Sequence, residues 1–327
     1  MPFRPRRRKR NERAGKSAEM REHMKILFMG TPEFAVPSLR ALVAAGYELV
    51  GVFCQPDKPR SRMKVTACPV KEYALSQNIP VFQPEKLRDG EAMKTVEALA
   101  PELIVVAAYG RILPDEMLAY PKLGCINVHS SLLPKFRGAA PINWAILTGE
   151  QITGVTIMHM AHELDAGDII LQGTTPIDPN ETAEELYNRL AELGGELAVE
   201  AVAALADGTA SRTPQDGSQA TLAPMLTRDL SPMDFSRPAQ ALHDQVRGLY
   251  PWPAAVMELD GLRCKVLRTA ITEETTAQAP GKLVQADKRG LKIACGDGKV
   301  LELVTIQPDG KKAMAATAFL MGHPIKL

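Results

Sequence analysis

Leu103-Ile104-Val105-Val106-Ala107-Ala108 is an uninterrupted apolar run of strand length, and its reading decides the fold. A half-buried strand alternates apolar and polar residues. A strand apolar at every position is covered on both faces, as in a parallel sheet between two helical layers. The flanking sequence agrees. Lys25 to Met29 is a short apolar strand, Phe34 to Ala45 a helix, and Leu49 to Cys54 a second strand. Val70 to Gln77 and Met93 to Leu99 read as helices, and Glu184 to Leu205 as a longer closing helix. Strands alternating with helices predict an α/β fold, a doubly wound, mainly parallel, Rossmann-like sheet. Ligands of such sheets bind beyond the carboxyl ends of the strands.

Four segments are expected. Residues 1–23 are charged, proline-bearing and aperiodic, and read as a basic disordered tail, a dispensable extension ahead of Met24. Residues 24–206 form the α/β catalytic domain. Residues 207–225, rich in Gly, Ser, Thr, Pro and Gln, read as a linker. Residues 226–327 hold one helix, about Pro238 to Leu249, and then short strands punctuated by Asp260-Gly261, Arg289-Gly290 and Asp297-Gly298, which fit hairpin turns of a small β-barrel.

The net charge of +1 hides an uneven layout. Residues 1–23 hold nine Lys/Arg against three Asp/Glu, residues 24–225 hold 16 against 24, and residues 226–327 hold 14 against 11. An acidic body between basic pieces suits a polyanionic partner that touches part of the surface. The five cysteines show no metal or CxxC spacing and read as reduced thiols of a cytoplasmic protein. The longest apolar run is too short to span a bilayer, and the N-terminus lacks a signal-peptide core.

Asn127 and His129 sit two residues apart after an apolar lead-in, so a strand would point both to one face. A second strand-like run, Gly154 to Met160, is followed by Leu164-Asp165-Ala166-Gly167. An amide, an imidazole and a carboxylate at neighbouring strand ends suit acyl transfer without a covalent intermediate. The imidazole moves protons, the amide steadies an oxyanion and the carboxylate orients the imidazole. The proline- and glycine-bearing stretch Leu133 to Pro141 follows as a loop at the ligand-binding edge. Gly30 is a lone glycine after the first strand and cannot make a dinucleotide-binding loop, although Asp57 stands where a ribose-binding acid would. His159, His162, Glu163 and Asp165 cluster, but strand spacing splits the two histidines across faces. Ordinary surface histidines are expected, and no metal site. Lys58, Arg60, Arg62 and Lys64 make a basic loop suited to RNA phosphates.

Asn127-Val128-His129-Ser130-Ser131-Leu132-Leu133-Pro134 with Leu164-Asp165-Ala166-Gly167 resembles the 10-formyltetrahydrofolate-dependent formyltransferases. Supporting stretches are Phe28 to Pro37, Gln55-Pro56-Asp57, Arg137 to Ile142, Gly248 to Ala254 and Gln307 to Lys312. The resemblance covers about residues 24–327. It implies a catalytic trio of Asn127, His129 and Asp165. It also implies folate contacts from Ser131, Leu132, Leu133 and Pro134 and a pteridine-lining segment at Arg111, Ile112 and Leu113. The formyl donor would be 10-formyltetrahydrofolate, a co-substrate, with no metal. The acceptor would be the amino group of methionyl-initiator tRNA, gripped by Lys58, Arg60, Arg62, Lys64 and a small OB-like barrel. Ser61 departs from the Gly-Arg-Gly element expected near it. The expected state is a monomer in the cytoplasm, away from membranes. The alternatives are a formyltransferase acting on an amino sugar nucleotide or another amine, and a non-catalytic RNA-binding protein, which would leave the trio unexplained.

Overall fold

The structure, a computed structural model, describes residues 24–61 and 64–326. The expectations for the tail 1–23 and for Arg62 lie outside the described residues. The chain divides into two compact units. One runs to Arg137 and takes up Gly154–Thr174 and Asn188–Thr221; the other holds Gly138–Thr153, Thr175–Tyr187 and Leu222–Leu327.

The first unit is organised by a seven-stranded sheet. Its strands are β1 (Lys25–Gly30), β2 (Glu48–Phe53), β5 (Val81–Phe82), β6 (Leu103–Ala107), β7 (Cys125–His129), β8 (Ile152–His159) and β9 (Ile169–Pro176). The order is β9-β8-β7-β6-β1-β2-β5. β1 runs parallel to β2 and β6, β2 to β5, and β6 to β7, whereas β7 and β8 are antiparallel. The winding therefore reverses between β1 and β6, the doubly wound pattern expected. β6 is buried at every position, as its unbroken apolar run requires. The helix Ala35–Ala44 turns Ala35, Leu39 and Leu42 inward. Gly30 lets it sit close: a Cβ there would lie 2.7 Å from the Ala35 Cβ and 2.9 Å from the Ala107 carbonyl oxygen. The lone glycine serves helix–strand packing.

Between β2 and β5 the basic loop pairs its backbone into an antiparallel ribbon of β3 (Lys58–Ser61) and β4 (Lys64–Thr66), with Lys58 opposite Thr66 and Pro59 opposite Val65.

The second unit contains an antiparallel sheet of β10 (Ala255–Leu259), β11 (Leu262–Thr275), β12 (Leu283–Asp287), β13 (Gly290–Ala294) and β14 (Lys299–Pro308). The order is β10-β11-β14-β13-β12, with β15 (Met314–Ala315) on β14. Register shifts along the β11–β14 pairing, at Val266/Arg268, Arg268/Thr269 and Ile271/Thr275, add the bends that curl a long strand. Leu242, Val266, Ile293, Leu301, Ile306 and Phe319 share one core, giving a small barrel-like domain. The helix Pro141–Leu147 belongs to this unit, where the Asn143 side-chain amide donates to the Gly248 carbonyl at 2.8 Å. No helix among the described residues is long and apolar enough to cross a membrane.

Candidate active site

His129 is the last residue of β7, at the carboxyl end of the sheet, with Thr156 of β8 as its register partner. Its ring is 6% exposed. Nε2 lies 3.0 Å from the Phe136 carbonyl oxygen. A carbonyl only accepts, so Nε2 carries a hydrogen. Nδ1 lies 3.7 Å from Asp165 Oδ2, whose side chain is 10% exposed. That distance is too long for a hydrogen bond and close enough for strong attraction once Nδ1 is protonated.

The two residues that face the ring share a feature. Phe136 has φ +63° and Asp165 φ +51°, both in the left-handed region that non-glycine residues rarely adopt. Such conformations persist only where the surroundings enforce them, and they concentrate at functional sites. Gly167 allows the Asp165 loop to come this close. A Cβ at Gly167 would fall 1.8 Å from the His159 carbonyl oxygen, so the fourth position of Leu164-Asp165-Ala166-Gly167 has room for glycine alone.

Asn127 lies two residues before His129 on β7, half-buried, and its amide makes no side-chain hydrogen bond to another described residue. The segment Ser131, Leu132, Leu133 and Pro134 is held from beneath by β8 and β9. Thr156 Oγ1 donates to the Ser131 carbonyl at 2.6 Å and accepts from the Leu133 amide at 3.1 Å. Gln172 Nε2 donates to the Leu133 carbonyl and to Thr156 Oγ1. Arg111, Ile112 and Leu113 follow β6, the neighbour of β7. Arg111 spends its guanidinium on the Pro84 and Glu85 carbonyls at 2.9 and 2.7 Å, Leu113 is buried, and Ile112 is 71% exposed. Ile112, five residues beyond the end of β6, thus presents an exposed apolar side chain, and Asn127 on the neighbouring β7 an uncommitted amide.

Composition does not point to Gln215 or Arg137. Gln215 Nε2 donates to the Asp165 and Gly167 carbonyls, each at 2.8 Å. Its Oε1 accepts from Arg137 Nε at 3.2 Å and Nη2 at 2.8 Å. Arg137 is buried and also reaches Glu163 Oε1 at 3.3 Å. Arg137 adjoins the quoted motif, a usable signal. Gln215 sits in a polar, glycine-bearing stretch with none.

The remaining expectations divide. His162 is at the surface, its Nδ1 2.9 Å from Asp115 Oδ1. His159 is not a surface histidine. It is buried in an interior strand, desolvation lowers its pKa most, and its Nε2 has no hydrogen-bond partner. Among the described residues no three His, Cys, Asp or Glu are grouped to hold a metal ion. Asp57 is committed to Lys71 at 2.6 Å and Gln83 at 2.8 Å, and the Lys71 hydrogen bond does most to hold its carboxyl below the usual range. Both of its oxygens are engaged within the protein. The backbones of Lys58, Arg60 and Lys64 lie in the β3–β4 ribbon. All five cysteines are buried free thiols.

A buried imidazole between a carbonyl and a carboxylate, with an amide two residues back on its strand, has the groups that proton-coupled acyl transfer needs. Residues 24–202 match the formyl transferase family, and residues 225–324 match the C-terminal domain of formyl transferases. The chain belongs to the formyl transferase family. It is 46% identical over 304 residues to the methionyl-tRNA formyltransferase of Alkaliphilus oremlandii, covering 93% of this chain and 98% of that one. Among solved structures, an N-formyltransferase from Helicobacter canadensis in complex with folinic acid and dTDP-3-aminofucose shares the fold. Its TM-score is 0.66 at 20% identity, over 87% of this chain and 99% of that one. HypX from Aquifex aeolicus aligns with TM-score 0.63 at 19% identity, over 91% of this chain, which spans 48% of HypX.

Proposed function

We infer that this enzyme transfers the formyl group of 10-formyltetrahydrofolate to the amino group of methionyl-initiator tRNA, the step that prepares the initiator for translation. The observation that carries this reading is the near full-length, 46% identical relationship to a methionyl-tRNA formyltransferase, joined to an Asn127–His129–Asp165 geometry able to do the chemistry.

The folate co-substrate supplies a formyl carbon open to attack by an amine. Asn127 donates its free amide hydrogens to the formyl oxygen as that oxygen gains charge. With Nε2–H committed to Phe136, the proton that moves does so at His129 Nδ1, which takes it from the attacking amine, directly or through a water, and gives it to the departing nitrogen. Asp165 stabilises the imidazolium in between. The backbone of Ser131 to Pro134 and the Arg111–Leu113 segment hold the donor, and Ile112 supplies its apolar contact.

The tRNA would be held by the basic residues Lys58, Arg60, Arg62 and Lys64 and by the C-terminal domain. Arg268 is paired with Glu185 and Arg289 with Asp287, both at 2.8–2.9 Å. Arg263, Lys265, Lys288 and Lys312 are therefore the better phosphate ligands. In this reading residues 24–206 are catalytic, 207–225 join the parts, 226–327 bind tRNA, and the enzyme works as a cytoplasmic monomer.

The test is a formyl-transfer assay with 10-formyltetrahydrofolate, offering methionyl-initiator tRNA and, separately, a dTDP-amino sugar. Formyl-methionyl-tRNA should form. Transfer to the sugar nucleotide with none to the tRNA would overturn the assignment.

A further inference from the structure

We propose that residues 213–221 form a strap that sets the geometry around His129, with Gln215 and Thr221 as its positioning residues. The proposal rests on the reading of His129 and Asp165 as the catalytic pair.

Three sets of contacts carry it. Thr213 and Ile169 exchange backbone hydrogen bonds at 2.8 and 3.0 Å, which lays the strap along the start of β9. Gln215 then uses every hydrogen-bonding position of its amide: two N–H groups on the Asp165 and Gly167 carbonyls, and an oxygen on Arg137. Arg137 only donates, so the amide can face one way only. Finally, Thr221 accepts from the Phe136 amide through Oγ1 and from the Arg137 amide through its carbonyl, each at 2.9 Å.

The strap thus grips both residues that face the His129 ring, and both of them have left-handed backbones. A conformation the chain disfavours locally must be fixed from outside. Gln215 fixes Asp165, and Thr221 fixes Phe136. Glutamine meets the chemistry at 215 where its neighbours in size do not. Ionised glutamate has no donors for the two carbonyls, asparagine is a methylene shorter, and lysine offers nothing to Arg137.

The experiment uses the full chain. Gln215→Ala should lower kcat for formyl transfer about 10–100-fold, the usual cost of losing a group that orients a functional residue, with KM for donor and tRNA little changed. Gln215→Glu should be as slow. The deciding readout is a double-mutant cycle with Asp165→Asn. If Gln215 acts through Asp165, Gln215→Ala should slow the Asp165→Asn enzyme by less than about threefold. Multiplied effects, or a Gln215→Ala kcat within about twofold of the parent, would overturn the role. Should both Gln215 variants fail to fold, Thr221 decides. Thr221→Ser, which keeps the hydroxyl, should match the parent, and Thr221→Val should be slow; equal turnover of the two would overturn the strap. A parent enzyme that fails to formylate methionyl-tRNA would instead strike the functional reading.

Discussion

Asp165→Asn isolates charge from shape. The amide keeps the size of the carboxyl group, so the loop held by Gln215 and by the close approach at Gly167 should stand. What disappears is the attraction between Asp165 Oδ2 and the protonated Nδ1 of His129, 3.7 Å apart. At an effective dielectric of about 20, unit charges at that separation attract by about 4.5 kcal/mol. The asparagine carbonyl dipole returns part of this, leaving a loss of about 2–4 kcal/mol, or a kcat roughly 30- to 1000-fold lower. Both side chains are nearly buried, so salt should screen little of the effect. Single-turnover formation of formyl-methionyl-tRNA at saturating donor measures it, alongside the melting temperature to confirm the fold. A rate within threefold of the parent would refute the argument, as would a defect that disappears between about 50 and 200 mM salt.

His129→Ala should cost about 10²–10⁴ in kcat while donor binding, measured by titration, stays near that of the parent. Replacing Arg60, Arg62 and Lys64 together with alanine should reduce the slope of log affinity for tRNA against log salt by about 2–3, without changing donor affinity. His243 offers a stability prediction. It is buried, its Nδ1 2.8 Å from Thr269 Oγ1 and its Nε2 3.0 Å from the Pro179 carbonyl oxygen, and burial is the main force lowering its pKa. The unfolded chain then binds a proton more readily than the folded one, so the contribution of His243 is complete above about pH 6.5 and is lost as pH falls towards the lowered folded value. Melting temperature should decline more steeply with acid in the parent than in His243→Asn.

Much of the sheet is legible in sequence because it is driven by local pattern. The Leu103–Ala107 run can satisfy its side chains only between two layers, and the Asn127–His129 spacing fixes one face once β7 is a strand. Asp165 comes into view as a candidate because it follows the next strand. What escapes is what distant partners impose. Nothing local in Phe136 or Asp165 announces a left-handed backbone. The burial of His159 follows from the position of β8 between β9 and β7, with every residue from Thr153 to His159 buried. Helix Pro141–Leu147 follows the active-site loop in sequence yet belongs to the unit of the barrel, through contacts about a hundred residues away such as Asn143 with Gly248. Gln215 escapes most completely, because a polar, glycine-bearing composition hides a residue with five hydrogen bonds.

Where Gln215 and Thr221 sit in the chain has a consequence for building hybrids. Composition invites a splice at about residue 206, where the long helix Ala183–Ala206 ends. A chimera joined there would inherit Asn127, His129 and Asp165 from one parent and the groups that hold Phe136 and Asp165 in place from the other. Foreign residues at 213–221 would pair the proposed reacting side chains with a mismatched support. The workable junction lies after Thr221, so the heritable module of catalysis is longer than the stretch that carries its chemistry.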